Sequence, residues 1–474
     1  MPFKNYQNER ITHWNKISKE NRLNFFNGSY HKRIAQVFSN LIPPGSKILE
    51  LGSGNGDLLN SLKASKGVGI DFSSQQVNLA QKRYPKYSFY CGGVNNLSEV
   101  LSPEPFDFII LSDLVNDLWN VQATFQSLLP YCTKRTRLII NYYSRLWQPI
   151  LSIAQALNLA KPNLQQNWLT REDLTNLLNL SGYEVIKNSV EILLPLDVPV
   201  IGSFFNKFLV KIWPFNLFAL SNFLIARPQS FSRIQEHSVS VIVPARNEAG
   251  NIENILTRIP KLGTGTEIVF VEGNSTDDTY QIIKEILPKF PHLKTQLLRQ
   301  DGKGKGDAVR KGFAHANGEI LMILDADLTV VPEDLPLFYD ALVDNKGEFI
   351  NGVRLVYPME KEAMRLFNFL GNKFFSFAFT YLLGQPVKDT LCGTKVLFKH
   401  DYDLIVANRD YFGNFDPFGD YDLLFGAARL GLKIIDLPIR YRERTYGTTN
   451  IQRWKHGWML LKMVAFAAGR LKYV

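Results

Sequence analysis

Residues 318–327 read Gly-Glu-Ile-Leu-Met-Ile-Leu-Asp-Ala-Asp, five consecutive apolar residues running straight into two carboxylates. An unbroken apolar run of that length predicts a strand buried on both faces, and such strands belong to sheets covered by helices on either side. An α/β fold is therefore expected. Asp325 and Asp327 then stand at the carboxyl edge of the strand, where open α/β sheets bind their ligands. Two carboxylates one residue apart can share a divalent cation, and a hard cation with open positions suits a nucleotide diphosphate. For Asp-x-Asp alone, an acidic turn between strand and loop is the plain alternative; the neighbouring motifs reverse that preference.

With 474 residues the chain exceeds one ordinary core, so two or three domains are expected. The formal charge of +10 allows an anionic partner, whether nucleotide, phospholipid surface or nucleic acid. Phe-dominated aromatics, 12% of the residues, favour the phospholipid surface, and no nucleic acid is expected. Cys91, Cys132 and Cys392 are scattered and lack metal spacing, which favours a reduced, cytoplasmic setting. The first thirty residues hold no apolar signal core. Ile212 to Ala226 contains Pro214 and falls short of the about 20 residues that cross a bilayer, so no spanning helix is expected.

Residues 1–40 form a helical lead-in, and strand and helix alternate from Ser46 onward. Lys47–Leu51 is a strand, Gly52-Ser-Gly54-Asn-Gly56 a turn and Asp57 to Ser65 a helix; further strands are Val68–Asp71, Tyr87–Cys91, Phe106–Asp113 and Thr136–Tyr142. That pattern is a doubly wound sheet. The glycines let backbone approach a ligand, and Asp71, about twenty residues beyond Glu50, is placed to accept both ribose hydroxyl protons of a nucleoside. A tight turn in an empty sheet is the alternative. Residues 41–228 resemble class I S-adenosylmethionine-dependent methyltransferases of Rossmann-like fold, which implies S-adenosylmethionine binding by Glu50, Gly52, Gly54 and Asp71. Where such families often carry an acid after the third strand, this chain has Cys91-Gly92-Gly93-Val94-Asn95. Thr170 and Asp173 cap a helix, and Gly182-Tyr-Glu-Val-Ile leads into a strand. Leu193 to Phe223, rich in Phe, Pro and Trp with Lys207 and Lys211 interleaved, is either a hairpin insertion packed on its own sheet or an element lying on lipid. Residues 229–237 form the linker.

Residues 238–474 open a second sheet. Val239–Val243 runs into Pro244-Ala-Arg-Asn247-Glu248, and Glu267–Glu272 into Gly273-Asn-Ser-Thr-Asp-Asp-Thr279. Lys303-Gly-Lys-Gly follows on a loop, and then the strand ending at Asp325. These features sit at strand carboxyl ends and converge on one crevice. Backbone donors at a helix start, lysines beside a glycine-rich bend and an acid pair together suit a phosphate-bearing ligand.

The array resembles family 2 glycosyltransferases of the GT-A fold, and more narrowly the dolichyl- or polyprenyl-phosphate sugar synthases, over residues 238 to about 450. The resemblance implies a nucleotide-sugar donor bound by Pro244, Asn247, Glu248, Glu272 and Lys303, and a diphosphate carried by Asp325, Ala326 and Asp327. The metal held by Asp325 and Asp327 would be Mg²⁺ or Mn²⁺, and transfer would invert the anomeric carbon. Arg354 falls at a phosphate-binding arginine, Asp389-Thr-Leu-Cys-Gly-Thr-Lys395 at the D-x-x-x-G-x-K/R stretch, Phe418-Gly-Asp-Tyr-Asp422 at the acceptor segment and Arg444-Thr-Tyr-Gly447 at the R-x-Y-G loop. Gly273 replaces the usual base-contacting aspartate, with Glu272 one position earlier, and Asn450 replaces a closing lysine. A hydroxyl acceptor needs a base and a phosphate acceptor does not; Asp422 is the first candidate for base or acceptor-orienting group and Asp389 the second. An ion pair with Arg429 or Lys395 is the alternative for either.

Met364 to Leu383 carries more aromatic surface than one helix stripe needs, and Trp454 to Val474 is amphipathic with basic residues at its margins; core packing explains either alone, and both beside a site suited to a lipid acceptor favour peripheral contact with the inner face of a membrane. The leading expectation is a metal-dependent inverting glycosyltransferase acting on a polyprenyl-phosphate or envelope-glycan acceptor, fused to a methyltransferase-like domain. Its rivals are a soluble transferase for a protein or small hydroxyl acceptor, and a binding or scaffold protein with degenerate sites.

Overall fold

The computed structural model describes residues 3–19, 27–94, 97–156, 164, 166–195, 198, 200–229, 235–354, 366–411, 420–440, 442, 446 and 453–474. The chain forms two compact units, Met1–Ser230 with Tyr473–Val474, and Phe231–Lys472.

In the first unit the strands are β1 (Lys47–Leu51), β2 (Lys66–Asp71), β3 (Ser88–Cys91), β4 (Phe106–Ser112), β5 (Cys132–Tyr143), β6 (Tyr183–Glu191) and β7 (Ser221–Pro228). Their order is β3-β2-β1-β4-β5-β7-β6, with β1 to β5 parallel and β7 antiparallel to both β5 and β6. The order reverses between β1 and β4, which opens a crevice at the carboxyl end of β1. Alternate residues feed opposite cores: Leu49, Leu51 and Ile109 lie on one face, Ile48, Phe108 and Ile110 on the other. That is why these strands read as near-continuous apolar runs. The helix Asn27–Leu41 sends Tyr30, Ile34, Val37 and Phe38 into the second of those cores, so part of the lead-in is a structural layer of the sheet. The helix expected to reach Ser65 ends at Ser61, and Lys63 takes a left-handed φ of 52°. The Thr170–Asp173 capping box is present in full at the start of Arg171–Leu180.

The second unit holds β8 (Val239–Ala245), β9 (Thr266–Glu272), β10 (Lys294–Arg299), β11 (Ile320–Ile323), β12 (Phe349–Val353), β13 (Lys395–Phe398) and β14 (Ile434–Pro438). Their order is β10-β9-β8-β11-β13-β12-β14. The first four are parallel, β13 runs antiparallel to β11 and β12, and β14 pairs parallel with β12. Leu321 and Ile323 enter one core, Ile320, Met322 and Leu324 the other, so the apolar run before Asp325 is buried on both faces. Sequence periodicity misses β12 and β13 for a physical reason: β12 contains Asn351 and Gly352, and the four-residue β13 buries Lys395. The helices Leu366–Leu383 and Arg453–Ala467 pack together through Phe379, Leu382, Leu460, Met463 and Ala467. No helix among the described residues is long and apolar enough to cross a membrane.

Candidate functional site

Because β8, β9 and β11 are parallel, their carboxyl ends place three loops together. Ala245 faces Glu272 in register, and Gly273 N–H donates to Ala245 O at 2.9 Å. Pro244 lies in register with Val271. Asn247, with a left-handed φ of 56°, ties the first loop to the second. Its N–H donates to Ser275 Oγ at 3.1 Å, and its Oδ1 accepts from Thr276 N–H at 2.8 Å. Glu248 N–H donates to Thr279 Oγ1, while Glu248 Oε2 accepts from Asn251. Glu272 Oε1 accepts from Ser275 N–H at 2.5 Å, so this buried carboxylate organises the turn. Gly273 leaves room beside it; a Cβ there would stand 3.1 Å from Gln300 Oε1.

The third loop turns sharply: Leu328 adopts φ 55° and its N–H donates to Asp325 O. Asp327 Oδ1 accepts from both N–H and Oγ1 of Thr329, at 3.1 and 2.7 Å, which fixes the carboxylate's orientation. Asp325 is ion-paired with Lys305 Nζ at 2.6 Å, both side chains being about a quarter exposed (26% and 28%). Lys303, two residues earlier, is exposed, so of the two lysines in the bend Lys305 is the one brought to the acid. Ala326 is buried between the two aspartates. Gly393 closes the other side. A Cβ at that position would come 2.0 Å from Asp325 Oδ2 and 2.2 Å from Lys305 Nζ, so only glycine leaves this pair undisturbed.

Arg354, at the end of β12, and Asp389 form a two-pronged pair, Nε to Oδ2 at 2.7 Å and Nη2 to Oδ1 at 2.9 Å. Asp389 also accepts from the N–H groups of Arg354, Leu391 and Cys392. Burial pushes its carboxyl up, but the Arg354 charge and these hydrogen bonds outweigh that and hold it below the ordinary range. With both oxygens so engaged and no side-chain exposure, Asp389 is built to hold Arg354 and the 391–392 backbone; a base role has no geometry behind it. Its ion partner is Arg354, where the sequence pointed to Arg429 or Lys395. Lys395 donates instead to Asn351 Oδ1 and Cys392 O. Asp422, on the helix Asp420–Arg429, is buried and paired with Arg409 at 2.8 Å. Its neighbour Tyr421 donates to Thr390 Oγ1, linking that helix to the Asp389 loop. Arg429 lies over the Tyr411 ring at 3.3 Å. Arg444, Gly447 and Asn450 lie outside the described residues. Tyr446 of the same motif packs on Gly250, where a Cβ would meet its ring at 2.6 Å, and Arg442 N–H donates to Thr329 O.

In the first unit Gly52, Gly54 and Gly56 all take positive φ, 70°, 51° and 79°, so the glycine pattern is a backbone requirement. Asp71 Oδ2 accepts from Gly54 N–H at 2.9 Å and Oδ1 from Ser73 N–H at 2.8 Å, locking the loop to the tip of β2. A cleft opens here, lined by Gly52, Asp71, Gly92, Gly93, Asp117 and Trp119 among others. Its remaining wall is the helix Phe3–Lys19, which contributes Tyr6, Gln7 and Arg10. The Arg10 guanidinium lies 3.6 Å over the Tyr6 ring, and Tyr6 meets Trp119 edge-on at 5.0 Å. Sequence reading missed this wall because a weakly periodic polar helix carries no binding signature. Glu50 is not among the cleft-lining residues: it is buried beneath, with Oε2 lacking a hydrogen-bond partner, and burial plus the Asp71 charge push its carboxyl up to about 8. A glycine cradle, an acid at the second strand tip and an aromatic wall fit a nucleoside cofactor.

Residues 240–406 match the model of Glycosyl transferase family 2, and residues 42–182 that of a Methyltransferase domain. The dolichol-phosphate mannosyltransferase of Pyrococcus furiosus is 37% identical over 120 residues, 25% of this chain and 33% of that protein. Glycosyltransferase AglJ of Haloferax volcanii is 26% identical over 46% of this chain and 68% of its own length. Undecaprenyl-phosphate 4-deoxy-4-formamido-L-arabinose transferase of an Enterobacter species is 26% identical over 44% of this chain and 62% of its own. The match thus spans a third of the first relative and about two thirds of the other two.

Proposed function

From a chain that carries a methyltransferase domain followed by a family 2 glycosyltransferase domain, we propose that the second unit moves a sugar from a nucleotide-sugar to a polyprenyl-phosphate or envelope-glycan acceptor, with inversion. The observation that carries this reading is the Asp325–Lys305 pair beside Asp327, wedged against Gly393 at the carboxyl end of β11. The two carboxylates fit a divalent cation shared with a donor: no three His, Cys, Asp or Glu side chains gather as a metal site among the described residues, so the other ligands would come from the diphosphate. Mg²⁺ or Mn²⁺ held by Asp325 and Asp327 would neutralise charge growing on the departing diphosphate.

The protein's own residues do the rest. Lys305 leaves Asp325 for a diphosphate oxygen when the donor enters, and Asn247, Glu248 and Glu272 hold the loops that frame the nucleoside. Arg354, kept in place by Asp389, offers its guanidinium to a phosphate. An acceptor phosphate oxygen forms the new bond to the anomeric carbon as the carbon–oxygen bond to the diphosphate breaks on the opposite face. Already anionic, it needs no base, and Asp422 with Arg409 orients the acceptor side. The names of relatives acting on dolichol phosphate and undecaprenyl phosphate support a lipid-phosphate acceptor. So do Phe374, Phe377, Trp458 and Leu461, exposed on the two packed helices that follow β12 and close the unit. These observations support a peripheral position of the unit at the inner face of a membrane. In the first unit the cleft over Gly52 and Asp71 takes S-adenosylmethionine, with Asp71 on the ribose.

Asn450 in place of lysine favours a second reading, a transferase for a protein or small hydroxyl acceptor with Asp422 as base. A screen of uridine and guanosine diphosphate sugars, reading nucleoside diphosphate release with and without polyprenyl phosphate, separates the two. Release that needs the lipid supports the first; release with hydroxyl acceptors alone supports the second. Calorimetry that finds no donor bound in Mn²⁺ leaves only a scaffold.

A further inference from the structure

The segment between β6 and β7 buries two of its polar side chains. Asn206 is 9% exposed, its Oδ1 accepting from Leu193 and Leu194 N–H at 2.8 Å each while its Nδ2 donates to Leu194 O. Lys211 is 5% exposed, bonded to Val190 O at 2.6 Å and to the buried Glu191 carboxylate. Its large apolar side chains face outward: Phe204 at 53%, Trp213 at 75%, Leu217 at 54% and Phe218 at 59%, with Phe208 and Ile212 between them. Trp147 Nε1 donates to Phe218 O at 2.8 Å and ties this face to the start of the helix Gln148–Ala156, where Leu146, Ile150 and Ile153 are also exposed. A contiguous outward apolar face held by inward hydrogen bonds is a built surface, unlike scattered exposed leucines.

Charge identifies the occupant. No Asp or Glu occurs from residue 198 to 235, while Lys207 and Lys211 lie within the insertion. Arg145 is exposed beside Leu146 and Lys207 is half-buried, whereas Arg33 and Lys211 are buried in ion pairs with Glu191. Exposed aromatic side chains including Trp213, with Lys207 and Arg145 beside them and no acid from residue 198 to 235, suit the interface of an anionic bilayer, where rings sit at the headgroup level and cations meet lipid phosphates.

We propose that residues 200–218, with the start of the helix Gln148–Ala156, are a lipid-docking surface of the first unit that inserts Phe204, Phe208, Trp213 and Phe218 into an anionic membrane. This goes beyond the transferase reading, because it concerns the methyltransferase-bearing unit and needs neither donor nor acceptor. The test uses the full chain and vesicles of phosphatidylcholine with phosphatidylglycerol, free of polyprenyl phosphate, so its failure is separate from a failure of sugar transfer. The wild type should float with these vesicles, and Phe204→Ser/Trp213→Ser should partition roughly a hundredfold less. Leu180→Ser, an exposed apolar side chain elsewhere in the first unit, should retain that binding. Brominated lipid should quench wild-type tryptophan emission more strongly than that of the conservative Trp213→Phe, a readout that holds even if the serine variant misfolds. Absence of vesicle binding, equal quenching of both proteins, or a dimer in solution that the serine variant turns into a monomer would each overturn the proposal, the last by showing that a second copy covers the face.

Discussion

Gly393→Ala is the smallest change that reaches the proposed donor site. A Cβ there would stand 2.0 Å from Asp325 Oδ2 and 2.2 Å from Lys305 Nζ, whereas ordinary contact begins near 3.4 Å, so the carboxylate must retreat by about 1.4 Å. Both clashing atoms end flexible side chains and can swing aside, so the fold should lose no more than about 1 kcal/mol. The proposed cation site cannot absorb the same shift, because Asp327 stays anchored on Thr329 while Asp325 is displaced. A displacement of about 1 Å at a reacting centre costs roughly a hundredfold in rate. The assay is steady-state release of nucleoside diphosphate with a thermal melt in parallel. A fall of that size in kcat/KM with an unchanged melting temperature is expected. Activity within about threefold of the wild type would refute the packing argument.

Further consequences follow from the buried acids. Unfolded, Glu50 ionises near pH 4.3; folded, burial and the Asp71 charge place it at about 8. Between those values the folded state holds the extra proton, so stability falls as pH rises through that window, by roughly 2–4 kcal/mol in all. Asp113, pushed up to about 7 by burial, adds in the same direction. Glu50→Gln should therefore melt higher than the wild type at pH 8, with a flatter profile below it; superimposable profiles by circular dichroism would contradict the burial argument. Asp389→Asn removes the charge partner of Arg354 and should cost roughly 3–5 kcal/mol in denaturant unfolding. A variant that keeps its stability and loses only turnover would instead restore Asp389 as a base. Asp71→Ala should weaken S-adenosylmethionine at least about tenfold in equilibrium dialysis, and unchanged binding would remove that residue from the cofactor site.

What could be read from the sequence was whatever depends on local pattern. The two-sided burial of Ile320–Leu324, the positive-φ glycines after β1 and the capping box at Thr170 each follow from a few adjacent residues. Long-range placement escaped it. Nothing local marks Gly393 as the residue that leaves room for Asp325 and Lys305, and only the return of β13 beside β11 brings them together. The pairing of Arg354 with Asp389 arises in the same way, from β12 lying next to β13. Glu50, read as a cofactor ligand from its place before the glycines, is buried beneath the cleft by the alternation of β1. The wall of Tyr6, Gln7 and Arg10 comes from a helix whose sequence looks like solvent-exposed surface.

The most direct measurement is donor binding and transfer by Asp325→Asn/Asp327→Asn in Mn²⁺. Calorimetry with nucleoside diphosphate should lose its heat signal and sugar transfer should disappear, while the melting temperature and S-adenosylmethionine binding stay at wild-type values. Undiminished transfer by that variant would contradict the account of the second unit.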